Sequence, residues 1–546
     1  EGIGSLNPLR CDNPACRRIT DLLFPTLFAV DPATGLLVGA ADDNFGLAVD
    51  VTPPDAETLT LKLRDDLVWS DGTPITAYDV FYSYLAAASQ LHISPYAPSV
   101  RALVTAALVV DDYTVEFAFN QPNCATLARM NFPIVPAHAF DPDFADTVTA
   151  FAAPGDLIAR FRVWQNRYPA SLSTVMVGHP FDTYPAPTAG RFALAAVRPT
   201  QDIRLTAGDG TLAYVYTDIP PDMTDLDLFL MGQTSLLVNP PIERRDDLKA
   251  TPDLQIAEYP GQVWDFIAFN TANPFRPQPA VGIDGKILDQ GYHPLFGDAR
   301  VRRALQLAID VDTLIDAALL GYGTTLAVNR IPGTWAHNDD LLPIAYDPRA
   351  AEQLLESIGW KDADHDGLRE CRGCLHGREG QPFSFDLMVM QNGRREIAAE
   401  LVARQLRQIG IAANLRVMDS GSVLGEAQGQ RFDAYMGGRV QRFASDPDQT
   451  GLFIRAGDVV DSGSNAGSYY NPQLDDLMNQ ALTLPGCDPV ERAAIYQDIQ
   501  AILQEDQPYL WLYAQNDMVV AQGGIFGFDP LPNQPLWNIR DWIVVK

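Results

Sequence analysis

The 546-residue sequence predicts an α/β protein. Strand-like and helix-like segments alternate along it. One stretch reads as a complete strand–helix–strand unit, and several helices carry clear end signals. The composition is globular, with 47% hydrophobic, 10% aromatic and 20% charged residues. Such a length exceeds one hydrophobic core and predicts roughly three or four domain-sized units.

The elements follow in order. Thr76-Ala-Tyr-Asp79 reads as a capping box: Thr76 is placed to accept from the Asp79 amide while Asp79 reaches back, and the helix continues through Val80, Tyr84 and Leu85. Asp298 caps a helix over 299–309, where Val301, Leu305 and Ala308 form an apolar stripe. Asp347-Pro348 supplies the cap and first-turn proline of a helix that Gly359 ends. Residues 383–390 (FSFDLMVM) read as a buried strand. Residues 394–409 form an amphipathic helix through Ile397, Leu401, Leu406 and Ile409; Gly410 stops it, and 411–417 is the next strand. That βαβ unit predicts parallel strands with a right-handed crossover. Two more helices are expected over 472–484 and 489–504.

Charge narrows the function classes. The chain holds 69 acidic against 39 basic residues, a net charge of −30. It will repel nucleic acid and anionic lipid. The five lysines (Lys62, Lys249, Lys286, Lys361 and Lys546) and the arginines are scattered, with no basic patch. A solvated, soluble surface is the main reading; a cation-binding or salt-adapted role is the alternative. No apolar run approaches the roughly 18 residues that span a membrane. The chain opens at Glu1 without a leader-like segment, as expected if a leader has already been removed, so this does not argue against secretion.

Of six cysteines, Cys11 and Cys16 lie five apart, Cys371 and Cys374 form C-x-x-C, and Cys124 and Cys487 stand alone. The two close pairs fit structural disulfides in an oxidising compartment. Zinc is a rival, because His365 and His376 flank Cys371 and Cys374, although the span is short for such a site. The C-x-x-C follows an Asp/Gly-rich loop and not a strand-to-helix turn, which argues against a redox-active pair. In that loop Asp362, Asp364 and Asp366 alternate, Gly367 sits sixth, Leu368 is placed to offer its carbonyl, and Glu370 is ninth. This matches the opening of an EF-hand-type loop, yet the twelfth residue is Gly373 in place of the bidentate Glu. A structural Ca2+ site and a plain Asp/Gly turn both fit; no other cofactor is implied. Enzymatic signatures such as H-E-x-x-H, G-x-S-x-G and G-x-x-x-x-G-K-[ST] are absent from the sequence, and the seven histidines are dispersed. An Asp-based hydrolase is the remaining enzyme alternative.

Six segments, in order, carry a resemblance. They are Leu59–Val80 with its Trp69-Ser-Asp-Gly-Thr-Pro74 turn, Trp264–Asn270, Phe296–Asp310, Tyr346–Leu355, Gly467–Asp475 and Gln504–Leu510. The chain resembles the peptide/nickel-type (family 5) solute-binding proteins of ABC importers over nearly its whole length. Most of the matching residues read equally well as caps, turns and core, so they identify the family and do not mark the site. The resemblance implies a two-lobed periplasmic-binding-protein-like fold (type II, cluster C). Lobe I would comprise 1–45, an extra subdomain 46–185, 186–269 and 511–546; lobe II would be 270–510. It further implies a monomeric, extracytoplasmic binding protein and not an enzyme. Such a protein closes on its solute and docks on a membrane permease. A sensory receptor using the same closed form is the alternative.

The resemblance also places Asp446, in Asp446-Pro447-Asp448, where peptide-binding members hold the ligand α-amine. The same residues also read as a simple turn. Where relatives place an Arg for the ligand carboxylate, the sequence has Gln391-Asn392; Arg394 and Arg395 follow at a helix start, facing solvent. Residues 231–236 likewise depart from the family's acidic segment. Tyr435, Arg439, Arg442, Trp264 and Tyr469 complete the cleft candidates, with core packing or surface pairing as the alternative for each. Peptide ranks first as the solute; oligosaccharide is second, because neutral Gln391 and Asn392 suit hydroxyls.

Overall fold

The computed structural model describes residues 5–11, 14–41, 44–51, 57–88, 94–150, 157–167, 179–198, 202–207, 213–217, 223–441, 446–532 and 534–545. Its central feature is a seven-stranded mixed sheet. In chain order its strands are β1 (Leu236–Val238), β2 (Leu254–Phe269), β3 (Gly323–Thr325), β4 (Ser384–Met390), β5 (Ala412–Met418), β6 (Ala434–Val440) and β7 (Tyr509–Gln522). The spatial order is β3-β7-β2-β6-β4-β5, with β1 also pairing with β7. As expected for a βαβ unit, β4 and β5 are parallel, in register from Ser384↔Ala412 to Met390↔Met418, around the helix Gly393–Gln408. β6 is also parallel to β4. The carboxyl ends of these three strands, at Met390, Met418 and Val440, therefore form one edge.

The caps set the other helices. Asp298 accepts from the Arg300 amide and starts Ala299–Leu307; Asp347 accepts from the Ala350 amide and starts Pro348–Ser357. Pro472–Thr483 and Pro489–Asp506 begin at the Asn471 and Asp488 caps. At Thr76 the capping box is half formed: one Asp79 oxygen accepts from the Thr76 amide at 2.9 Å. The other accepts from the Ala137 amide at 2.8 Å, so a buried Asp79 joins two segments.

Three buried cores organise the molecule. The first runs from Leu6 to Ala207 and takes in Ala521, Ile525 and Trp542. The second and third lie on opposite faces of the seven-stranded sheet. Leu226, Phe229, Ile242 and Leu248, which the sequence reading groups with the first lobe, pack into the second core. The reason is the length of β2 and β7, whose 16 and 14 residues carry the sheet beyond a single unit. Their pairing shifts register between Pro260 and Trp264 and divides the ribbon into two halves. Gly261 lies inside that bulge, where a Cβ would stand 2.5 Å from the Gln515 carbonyl oxygen. A bulge bends its strand and locally interrupts the ladder. No helix among the described residues is long and apolar enough to cross a membrane.

All six cysteines are paired. Cys11–Cys16 and Cys371–Cys374 bridge as the close spacings suggest, and the second pair rules out thiolate ligation of zinc in this state. Cys124 and Cys487, which stand alone in sequence, form the third disulfide.

Candidate ligand-binding site

In sheets with parallel strands, ligands bind outside the carboxyl ends of the strands. Here that edge carries Gln391, Asn392, Arg439 and Gln441. Asp448 forms an ion pair with Arg129, which lies between Leu127 and Met130 of the first core. That first core is the first unit, and the seven-stranded sheet with the second and third cores is the second. The pair therefore marks the junction of the two units.

Asp446 is already paired within the chain. Its two oxygens accept from the Arg492 guanidinium at 2.9 and 3.0 Å, and both side chains are buried. Burial works against the Arg492 charge, but Asp446 outweighs it and the pKa rises. Arg492 also lies 5.3 Å from the Trp335 ring and donates to the Tyr496 hydroxyl at 3.3 Å. Behind the pair sits Arg330, whose burial lowers its pKa to about 10 despite the attraction of Asp446. The Gln441 amide, oriented with its oxygen toward Arg330, accepts at 2.7 Å.

Arg439 differs from both of them. Among the described residues no carboxylate pairs with it, and its Nε is buried without a hydrogen-bond partner. Its guanidinium lies 5.8 Å from the Phe266 ring. Burial disfavours the charge, while the neighbouring Tyr509 and Tyr435 hydroxyls more than offset that, so the pKa is raised. Along this junction four guanidiniums (Arg129, Arg330, Arg439 and Arg492) meet two carboxylates (Asp446 and Asp448). In a chain of net charge −30 this is a local reversal of sign.

The remaining candidates separate. Arg442 lies outside the described residues. Gln391 and Asn392 are exposed at the edge, and the Asn392 side-chain oxygen caps the following helix by accepting from the Arg395 amide. Trp264 is core: 1% exposed, with Phe266 and Trp511 rings at 4.9 and 6.0 Å. Tyr435 is 2% exposed, and burial raises its pKa. Tyr469 packs elsewhere; its hydroxyl donates to Asp506 at 2.5 Å, beside a cavity of about 380 Å³ within the second unit lined also by Arg302, Arg455 and Asp458. Arg395 corrects the expectation of a solvent-facing helix start. Its side chain is 13% exposed and paired with Asp265 at 2.8 Å. Sequence reasoning missed Arg492 and Arg330. One signal existed for Arg492: it falls on the apolar face of its helix, in line with Ile495, Tyr496 and Ile499.

At the acidic turn, oxygens of Asp362, Asp364 and Glu370 lie within 4.8 Å of one another. Several of these oxygens already have partners, whereas Asp362 Oδ1 is buried without one. Glu370 accepts from Arg372 at 2.9 and 3.1 Å, Asp362 from the Gly367 amide, Asp364 from the Asp366 amide and Asp366 from the Leu368 amide. Calcium takes six to eight oxygens; three converge here, and one of them serves an arginine.

Residues 46–459 match the family described as bacterial extracellular solute-binding proteins, family 5. The chain belongs to that family. It is 29% identical to the oligopeptide-binding protein AppA of Bacillus subtilis over 258 residues, 46% of this chain and 45% of the relative. The chain thus spans about half the length of that relative. It is 21% identical to the glutathione-binding protein GsiB of Escherichia coli, covering 97% of this chain and 90% of that one. In fold it is similar to HbpA2 of Haemophilus parasuis, with a TM-score of 0.76 at 17% identity over 100% and 98% of the two chains. These relatives are binding proteins and not enzymes.

Proposed function

We propose that this family 5 member captures a peptide-like solute bearing a free carboxylate at the junction of its two units. We further propose that it passes the solute to an ABC-type membrane permease. One observation carries the reading: Arg439, a largely buried cation at the carboxyl edge of the sheet, has no carboxylate partner among the described residues. An unpaired buried charge is costly, and a ligand anion would remove that cost. The cationic junction and the oligopeptide- and glutathione-binding relatives support the same class. The amine-holding role expected of Asp446 loses support, because Arg492 already neutralises that carboxylate. The second solute class, an oligosaccharide, rests on the exposed, neutral Gln391.

The test compares a pooled tripeptide library with the same library amidated at its carboxyl ends, by isothermal titration against ligand-stripped protein. The free acids are expected to bind more tightly. Arg439→Met is expected to lose about 2–5 kcal/mol for the acids, the range for removing one partner of a buried charge pair, and to abolish their preference over the amides. Equal binding of acids and amides, or binding of a neutral oligosaccharide alone, would sink the carboxylate reading.

A further inference from the structure

The two close disulfides each lie within one unit, with sequence separations of five and three; the third spans 363 residues. Cys124 follows the strand Thr114–Phe119 and precedes the helix Thr126–Arg129, beside Leu127 and Met130 of the first core. Cys487 sits between the helices Pro472–Thr483 and Pro489–Asp506, whose Met478, Ala481 and Ile495 belong to the third core. The bond therefore joins two separately packed bodies.

It does not act alone. The Cys124 amide donates to the Leu482 carbonyl at 2.9 Å, and Arg129 pairs with Asp448. All three contacts leave one short stretch, 124–129, and reach 448 and 482–487. The backbone hydrogen bond and the ion pair are reversible; the disulfide is not on the timescale of domain motion, since uncatalysed disulfide rearrangement takes minutes to hours and hinge motions microseconds to milliseconds.

A hinge between the two units would turn about the bulged ribbon of β2 and β7. Opening about that pivot separates the first core from the third, and with it Cys124 from Cys487. The bridge holds their Cα atoms 5.3 Å apart. We infer that Cys124–Cys487 is a covalent strap across the junction. With the strap closed, the units form a ring joined at the ribbon and at the bridge, and wide hinge opening is blocked. Solute exchange then depends on movements smaller than a wide hinge opening. This inference rests on hinge motion between the units and not on the class of solute, so failure of the carboxylate reading leaves it intact.

The experiment starts with unreduced, full-length protein. Peptide mapping after alkylation is expected to show the Cys124 and Cys487 peptides linked. Small-angle scattering then compares ligand-stripped wild type with Cys124→Ser/Cys487→Ser and with Cys11→Ser/Cys16→Ser. A compact chain of this length has a radius of gyration of about 24 Å, and release of the hinge is expected to raise it by roughly 1 Å or more. Only the first variant is expected to show that rise. If it does not fold, as judged by circular dichroism, wild type reduced and alkylated in native buffer takes its place. Alkylation of Cys124 and Cys487 in unreduced protein would overturn the inference. So would unchanged scattering from a folded protein that lacks the bridge.

Discussion

The two faces of the seven-stranded sheet treat a partly buried arginine differently at the same carboxyl edge. On the second-core face, Arg395 meets Asp265 at 2.8 Å. On the third-core face, Arg439 lies beside tyrosines and a phenylalanine with no carboxylate among the described residues. Successive residues of β6 divide between these faces: Gly438 packs against the Arg395–Asp265 pair, and Arg439 turns the other way. Deeper on the third-core face, Arg492 has its own carboxylate in Asp446. A paired buried arginine is complete within the chain. Under the proposal above, the unpaired Arg439 is the one left for a ligand.

The contrast breaks most sharply on removal of a paired arginine. Arg492→Met strands the Asp446 carboxylate, and Arg395→Met strands Asp265. Each is expected to cost about 3–5 kcal/mol of stability, the penalty for breaking a buried pair from one side. Denaturant unfolding of the unliganded protein reads it directly. Arg439→Met is expected to have the opposite sign or no effect on stability, because it removes a partly buried charge that has no carboxylate partner among the described residues. A loss above about 2 kcal/mol at Arg439 would make it another structural arginine.

The next effect is steric. A Cβ on Gly438 would lie 2.5 Å from both an Arg395 nitrogen and an Asp265 oxygen. Gly438→Ala must therefore push the pair apart and is expected to cost about 1–3 kcal/mol, as overpacking does. Combined with Arg395→Met, most of that cost should disappear, since Met lacks the guanidinium that crowds the site. A double-mutant cycle with additive losses would count against the clash.

These faces were unequally legible in the sequence. The βαβ unit was readable because its signals are local: β4, its helix and β5 begin and end within one residue of the expected 383–390, 394–409 and 411–417. The caps at Asp298, Asp347 and Asn392 are contacts over two or three residues. The pairing of charges is not local. Arg395 finds a carboxylate 130 residues away, Arg492 one 46 residues away, and Cys124 a thiol 363 residues away. A helix-start arginine looks solvent-facing until the strand beneath it is known. Asp446 looked available for a ligand because its partner lies on a helix whose inward face carries one arginine among apolar residues.

The smallest expected effect belongs to the acidic turn, where the same accounting of partners applies. An ion bound only by the folded state adds about 2.7 kcal/mol at a hundredfold excess over its Kd. At Asp362–Glu370 one oxygen each of Asp362, Asp364 and Asp366 is engaged by the Gly367, Asp366 and Leu368 amides, and one Glu370 oxygen by the Arg372 guanidinium. An ion bound through those oxygens would have to displace that cation and break turn hydrogen bonds. Millimolar calcium, compared with a chelator, is therefore expected to leave the thermal midpoint unchanged. A calcium-dependent rise that Asp364→Asn removes would restore the turn as a cation site. It would also show that a carboxylate with partners inside the chain can still serve a ligand, which would reopen the case for Asp446.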